Sequence, residues 1–322
     1  MNSSCRSGRT IVVASLFLTL TLLLSPLRAQ NATSAQEDTT SAEKAVSILV
    51  PAAGIRVDFG VPKRFDPAGS SYLASGAQIQ SRSLEVPAAG AGVLLFSQGE
   101  SLLATGFPRS QDNFIALAHE GGFVSVYSSP MLSIAPGLDK NKILKDEVMG
   151  SIGTGKGSGD ANYYLRVADV RSKLQVNPAL FSGSMIDRAI PRIEEVSLIR
   201  DGFRLKAEPE RRILQRIAQG EYRLTATLND PAYAGGVVSG LFRIKVVLDG
   251  QVVADRKFDS AQNADEGLVF LGLSAPSSAL ADREMRFLLG SRFLARGNHN
   301  LELTIYDFNG NAGTFLWRFI VE

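Results

Sequence analysis

Two histidines and one cysteine are the whole stock of imidazole and thiolate metal ligands in this 322-residue chain. A zinc ion that activates water for hydrolysis is held by three protein ligands drawn from His, Asp, Glu and Cys, with a fourth position left open. His119 and His299 stand far apart in the sequence, and Cys5 lies near its start. Neither half of the chain can assemble a His-rich catalytic zinc site with a further His as acid or base. A Ser–His–Asp triad would rest on a single His. His119, within His119-Glu-Gly-Gly122, reads as a turn residue at a hairpin tip. The 32 acidic residues leave carboxylate-pair hydrolysis open, although no pair stands out.

Three weaker motifs read as structure. Gly150-Ser-Ile-Gly-Thr-Gly-Lys156-Gly157 approaches a phosphate loop, but Gly157 stands where Ser or Thr would hold magnesium. A glycine-rich turn is the reading that remains. Asp307-x-Asn309-x-Asn311 has the spacing that opens a calcium loop, without the distal glutamate that would close it. Asx residues before glycine are ordinary turn formers. Ser184 lacks the Gly-x-Ser-x-Gly elbow of a hydrolase nucleophile and reads as loop.

The elements that would position any site are strands. Phe114–Ala118 and Phe123–Tyr127 flank the glycine turn at 119–122, and Tyr163–Ala168 is a further strand candidate. In the second half, Tyr222, Leu224, Ala226 and Leu228 alternate with polar residues, as a half-buried strand does. Leu241–Leu248 runs into Asp249-Gly250, a hairpin turn. Leu301, Leu303 and Ile305 alternate, as do Phe315, Trp317, Phe319 and Val321 after Asn309-Gly310-Asn311. Ala207–Gln219 could form one short helix or an irregular insertion. The fold class expected is all-β, with an antiparallel sandwich of immunoglobulin type at the C-terminus.

Composition agrees: the chain is 45% hydrophobic, with 34 basic against 32 acidic side chains. That describes a folded protein without the concentrated basic face of a nucleic-acid binder. Arg6 and Arg9 precede an apolar run over 11–24, then Ser25, Pro26 and Ala29. This reads as a secretory signal cut after Ala29, with an uncleaved anchor as the alternative. A membrane association follows only if the segment stays uncleaved. Cleavage would remove three Arg and the only Cys, leaving no disulfide and no thiolate chemistry. The expected organisation is a signal peptide over 1–29, a solvated linker over 30–47, and β domains over 48–186 and 187–322.

Across about 55–182 the order of motifs resembles the M23 (LytM-type, lysostaphin-like) zinc endopeptidases that cut peptidoglycan peptides. Phe59-Gly60 matches an early Phe-Gly of that family, and Glu85-Val-Pro-Ala-Ala-Gly-Ala-Gly-Val93 its segment before the hairpin. Phe114–Tyr127 is similar to the hairpin "I-x-H-x-G-G-x-x-T-x-Y". Glu147–Gly155 and Val176-Asn-Pro178 fit the glycine-rich and closing motifs.

The catalytic positions depart from the pattern together. The His-x-Gly-x-Asp that supplies two zinc ligands falls on Ala74-Ser-Gly76-Ala-Gln78. The His-x-His that supplies a catalytic His and the third ligand falls on Asn162-Tyr163-Tyr164, and a further His falls near Ser129. His119 matches a hairpin His that is not a ligand. Ala offers no donor, and neutral Gln and Tyr bind zinc poorly. The resemblance therefore implies a pseudo-enzyme with its zinc site lost and no cofactor. Tyr72, Tyr163, Tyr164 and Arg166 would lie at or near the floor of a peptide groove. Its partner would be peptidoglycan or a cell-wall hydrolase in the periplasm or cell envelope, with no nucleic acid. Two alternatives stay open: a hydrolase of this family working through an altered site, and a structural envelope or adhesion protein.

Overall fold

Short β-branched and aromatic runs, punctuated by glycine turns, form strands throughout, and no α-helix occurs among the described residues. The computed structural model describes residues 48, 55–64, 71–81, 83–98, 112–153, 161–181, 188–209, 214–231, 239–265, 267–271, 273 and 276–322. The signal segment, nearly all of the linker and Ser184 lie outside them. Residues 46–322 form one compact unit.

The strands begin with Ile55–Val57 (β1), Pro62–Arg64 (β2), Ser71–Leu73 (β3), Ala77–Ser81 (β4), Glu85–Pro87 (β5) and Val93–Gln98 (β6). Asn113–Ala118 (β7), Phe123–Ser129 (β8), Leu132–Ile134 (β9), Val148–Ile152 (β10), Ala161–Asp169 (β11) and Leu174–Val176 (β12) follow. Next come Arg192–Arg200 (β13), Phe203–Lys206 (β14), Gln215–Ile217 (β15), Gly220–Asn229 (β16), Arg243–Leu248 (β17) and Gln251–Lys257 (β18). Ser260–Ala264 (β19), Gly267–Phe270 (β20), Phe287–Leu294 (β21), Gly297–Tyr306 (β22) and Ala312–Val321 (β23) complete the chain.

The largest sheet runs β20-β19-β12-β11-β8-β7-β6. One edge of β11 is shared, its first half pairing with β4 and its second half with β12. All these pairings are antiparallel, and the turn between β7 and β8 has Gly121 and Gly122 at φ 87° and 80°, which only glycine adopts freely. The C-terminal half builds a four-stranded sheet, β14-β13-β16-β21, and a five-stranded sheet, β15-β23-β22-β17-β18. Leu198, Tyr222 and Leu224 from the first meet Leu248, Leu301 and Phe319 from the second around one small cavity, so the two sheets stack face to face. The alternation read from the sequence holds: Leu301, Leu303, Ile305, Trp317, Phe319 and Val321 are all buried. Asp249 and Gly250 take φ 52° and 80°, the pair that a tight hairpin requires.

Two features differ from the sequence reading. Within Ala207–Gln219, β15 is a strand parallel to β23. Backbone bonds from Gln219 to Glu322 and from Glu322 to Ile217, each 2.9 Å, draw the segment onto the chain end. Such non-local pairing outweighs local propensity. Second, the β19–β20 hairpin of the C-terminal half pairs with β12 and extends the N-terminal sheet, crossing the boundary expected at 186/187.

The motif residues Phe59, Gly60 and Asn177 receive that hairpin. Phe59 meets Phe270 edge-on at 5.3 Å, and Phe270 meets Phe258 at 5.4 Å. Asn177 is fully buried and donates from Nδ2 to the Phe258 carbonyl at 2.9 Å, while its backbone N–H reaches the Asp259 carbonyl at 2.8 Å.

Candidate functional site

The loop from Leu73 to Ala77 is fixed by the turn after β1. Gly60 N–H donates to the Ala74 carbonyl at 2.8 Å, and Asp58 N–H to the Gly76 carbonyl at 3.0 Å. The Asp58 carboxylate, 3% exposed, is held by Arg56 at 2.7 Å and Lys63 at 2.9 Å. Ala74 thus sits buried at the head of β4, as a short apolar side chain can.

Register then decides which expected residues meet. Tyr164 on β11 lies directly across from Gln78 on β4 and from Ser128 on β8. Opposed residues in an antiparallel pair project to one face, so Gln78, Tyr164 and Ser128 form a row. Phe114 and Gln98 continue it across β7 and β6. A second row runs from Arg166 through Val126 and Ala116 to Phe96. Asn162 lies on the same face, opposite Gln80. The face is polar toward β4 and β11, and apolar toward β7 and β6, where Phe96 and Phe114 stack at 5.4 Å.

Gly76 is the one position of His-x-Gly-x-Asp that the chain keeps, and its role here is close approach. A Cβ on it would fall 2.5 Å from the Tyr164 ring and 2.7 Å from the Leu165 carbonyl oxygen. The ring therefore lies against the Ala74–Gly76 loop. Arg166 sets its guanidinium 5.5 Å from the centre of the same ring, a cation–π distance.

Two site expectations are corrected. Tyr163 belongs to the opposite face: it is 2% exposed and packs 6.0 Å from the Tyr127 ring. Burial, then the neighbouring Tyr127 hydroxyl, push its own hydroxyl far above its ordinary pKa. It cannot serve as a platform for ligand. Strand alternation also sets Ser129 apart from Tyr164: it pairs with Asn113 and accepts the Met131 N–H at 3.4 Å, so Ser128 takes the place beside Tyr164. Tyr72 lies on β3 opposite Lys63, and its side chain is outside the described residues.

A zinc ion does not fit the side chains at the positions where the resemblance puts the ligands. Ala74 supplies no donor, Gln78 a neutral amide, and Tyr164 a phenol whose ring is stacked on the glycine loop. Among the described residues no group of three or more His, Cys, Asp or Glu could hold a metal. In the other loops, the Asp307 carboxylate accepts the N–H groups of Asn309 and Asn311 at 2.8 Å each, an Asx turn as expected. Gly150–Ile152 falls in β10, and residues 154–160 lie outside the described residues.

His119 lies in the connection between β7 and β8, as expected, but it is buried there. It is 8% exposed, and its ring joins a buried network that the sequence reading missed. Nδ1 lies 2.9 Å from the Ala91 carbonyl and Nε2 2.6 Å from Ser125 Oγ. Ser125 Oγ is 3.2 Å from Tyr127 Oη, which accepts the Ala89 N–H at 2.8 Å. A neutral imidazole with Nδ1–H toward Ala91 lets the two hydroxyls satisfy every remaining group. The available signal was Ser125 and Tyr127, two apart on one strand and facing inward with the core.

Burial holds the His119 imidazole below its ordinary pKa of 6.5, opposed by the Ala91 hydrogen bond. The unfolded chain therefore takes up a proton at higher pH than the folded chain. Stability is retained above 6.5 and is lost as the pH falls from there toward the lowered folded value. Urea midpoints measured across this window should fall with pH, and His119→Gln should flatten the decline. A variant with an undiminished slope would assign the decline to other groups.

A protein family carrying no functional description matches residues 190–322. No curated protein matches the chain. Among solved structures, the chain is similar to one described as the structure of the SpoIIQ-SpoIIIAH pore forming complex. That match has a TM-score of 0.30 and 15% identity, over 42% of this chain and 91% of that one. It is also similar to the solution structure of lysostaphin, with a TM-score of 0.30 and 12% identity, over 85% of this chain and 98% of that one.

Proposed function

We propose that this chain is an exported, non-catalytic protein on an M23-like (LytM-type) framework, acting at the cell envelope. It binds a peptidoglycan peptide, or the corresponding segment of a cell-wall hydrolase that it regulates, and its C-terminal sheets form an immunoglobulin-like module. The observation that carries the reading is the row Gln78–Tyr164–Ser128, with the Tyr164 ring laid on Gly76 where the resemblance puts a metal-binding cluster. A Tyr face and a guanidinium can hold an extended peptide with a carboxylate without any activated water.

Arg166 is exposed and beside Tyr164, while Val126 and Phe96 offer the apolar half of the same face. Pull-down with purified sacculi tests this directly. Tyr164→Ala combined with Arg166→Ala should weaken binding at least about tenfold, or ~1.4 kcal/mol, as loss of an aromatic and arginine anchor does. The variant's circular dichroism should match that of the parent chain. Unchanged binding by a folded variant would remove this face from the account.

A further inference from the structure

The outer face of the four-stranded sheet carries a charged crevice that the peptide-groove reading does not use. Register sets Arg204, Ile199 and Arg223 side by side across β14, β13 and β16. The segment leading into β21 forms the facing wall and contributes Arg283 and Arg286, and the open crevice measures about 900 Å³. Four guanidiniums face it with two carboxylates, Asp282 and Glu284, a formal excess of two positive charges.

Those carboxylates are already engaged. Arg286, its side chain 11% exposed, donates from Nε to Asp282 Oδ2 at 2.7 Å and from a terminal nitrogen to Glu284 Oε2 at 3.0 Å. Asp282 Oδ1 also accepts the backbone N–H groups of Glu284 at 3.0 Å and Arg286 at 2.9 Å. The turn is thereby tied to its own anions. Glu195 serves both Arg204 and Lys206, at 3.2 and 3.4 Å. Arg223 and Arg283 are exposed and make no ion pair among the described residues.

Two uncommitted guanidiniums, one on the sheet floor and one on a turn braced by its own ion pairs, line the same crevice. Planar guanidinium forks match carboxylate and phosphate oxygens alike. A carboxylate carries one charge, whereas a phosphate monoester carries about 1.5–2 at neutral pH in one small volume, and a diphosphate more. The excess here is also two. We infer that the crevice binds a phosphate-bearing ligand, a phosphate monoester or diphosphate group, through Arg223 and Arg283.

A soluble phosphorylated compound and a phospholipid headgroup share this chemistry, and two probes on the full chain separate them. The first is inorganic pyrophosphate by calorimetric titration. The second is flotation with phosphatidylcholine vesicles doped with phosphatidic acid. The parent chain should bind pyrophosphate, and Arg223→Ala with Arg283→Ala should weaken that binding at least about tenfold, as loss of charge-assisted hydrogen bonds does. Arg318→Ala, on β23 of the other sheet, should leave it unchanged. Vesicle capture lost in the same double variant would identify a headgroup as the source, and pyrophosphate binding without capture a soluble one. The inference is overturned if the parent chain binds neither probe. It is equally overturned if the double variant, with an unshifted urea midpoint, binds as the parent does, or if Arg318→Ala costs as much.

Discussion

Phe258→Ala should destabilise the protein by about 3–5 kcal/mol, the cost of deleting a large aromatic side chain from a closed core. Phe258 is 1% exposed and joins both halves of the unit. Its ring meets Phe270 at 5.4 Å and Phe287 at 6.2 Å, and a Cβ on Gly60 would fall 2.8 Å from it. The Phe258 carbonyl accepts the buried Asn177 amide. Trp317 is the only tryptophan, buried on β23 in the C-terminal sheets, so its fluorescence reports that half alone. Far-UV circular dichroism reports strands from both. Because the hairpin couples the halves, urea unfolding of Phe258→Ala should shift both signals together. A shift confined to one signal, or a loss below ~1 kcal/mol, would mean that the hairpin contributes little to holding them together.

The second large effect is a gain. Ala74→His, Gln78→Asp and Tyr164→His together should create a zinc site. Gln78 and Tyr164 are direct cross-strand partners, so substitutes there stand roughly 5 Å apart at Cβ, within reach of one ion. The loop carrying Ala74 is already pinned through Gly60 and Asp58, which limits the ordering cost. The triple variant should retain zinc at low micromolar free metal or tighter, and each single reversion should weaken retention at least about tenfold, since even an outer-shell partner is worth that much. Because the resemblance sets His-x-Gly-x-Asp on Gly76, a folded triple variant with no zinc would show that placement to be wrong.

Much of this was legible along the chain, because alternation and turn chemistry are local. The runs ending at Val321, the Asp249-Gly250 turn and the Asp307 loop all read correctly from a few residues each. What failed depends on pairing partners distant in sequence. Tyr163 and Tyr164 are adjacent and alike in type, and only the register with β4 and β8 sends one inward and the other outward. The same parity separates Ser128 from Ser129. His119 is the turn residue the sequence suggests, but its burial shows only when Ala91 and Ser125 are brought to its two ring nitrogens. Residues 260–270 carry no sign that their partner is β12, because strand pairing of that separation leaves no periodic mark. The arginine crevice likewise arises only when β13, β14, β16 and the turn before β21 come together.

The most direct measurement is a paired one on the purified parent chain: zinc content by atomic spectroscopy, and digestion of isolated peptidoglycan followed by separation of the released fragments. The account predicts no stoichiometric zinc and no fragments above those of a buffer control, with the chain recovered on the sacculi. Stoichiometric zinc accompanied by cleaved cross-bridges would contradict it.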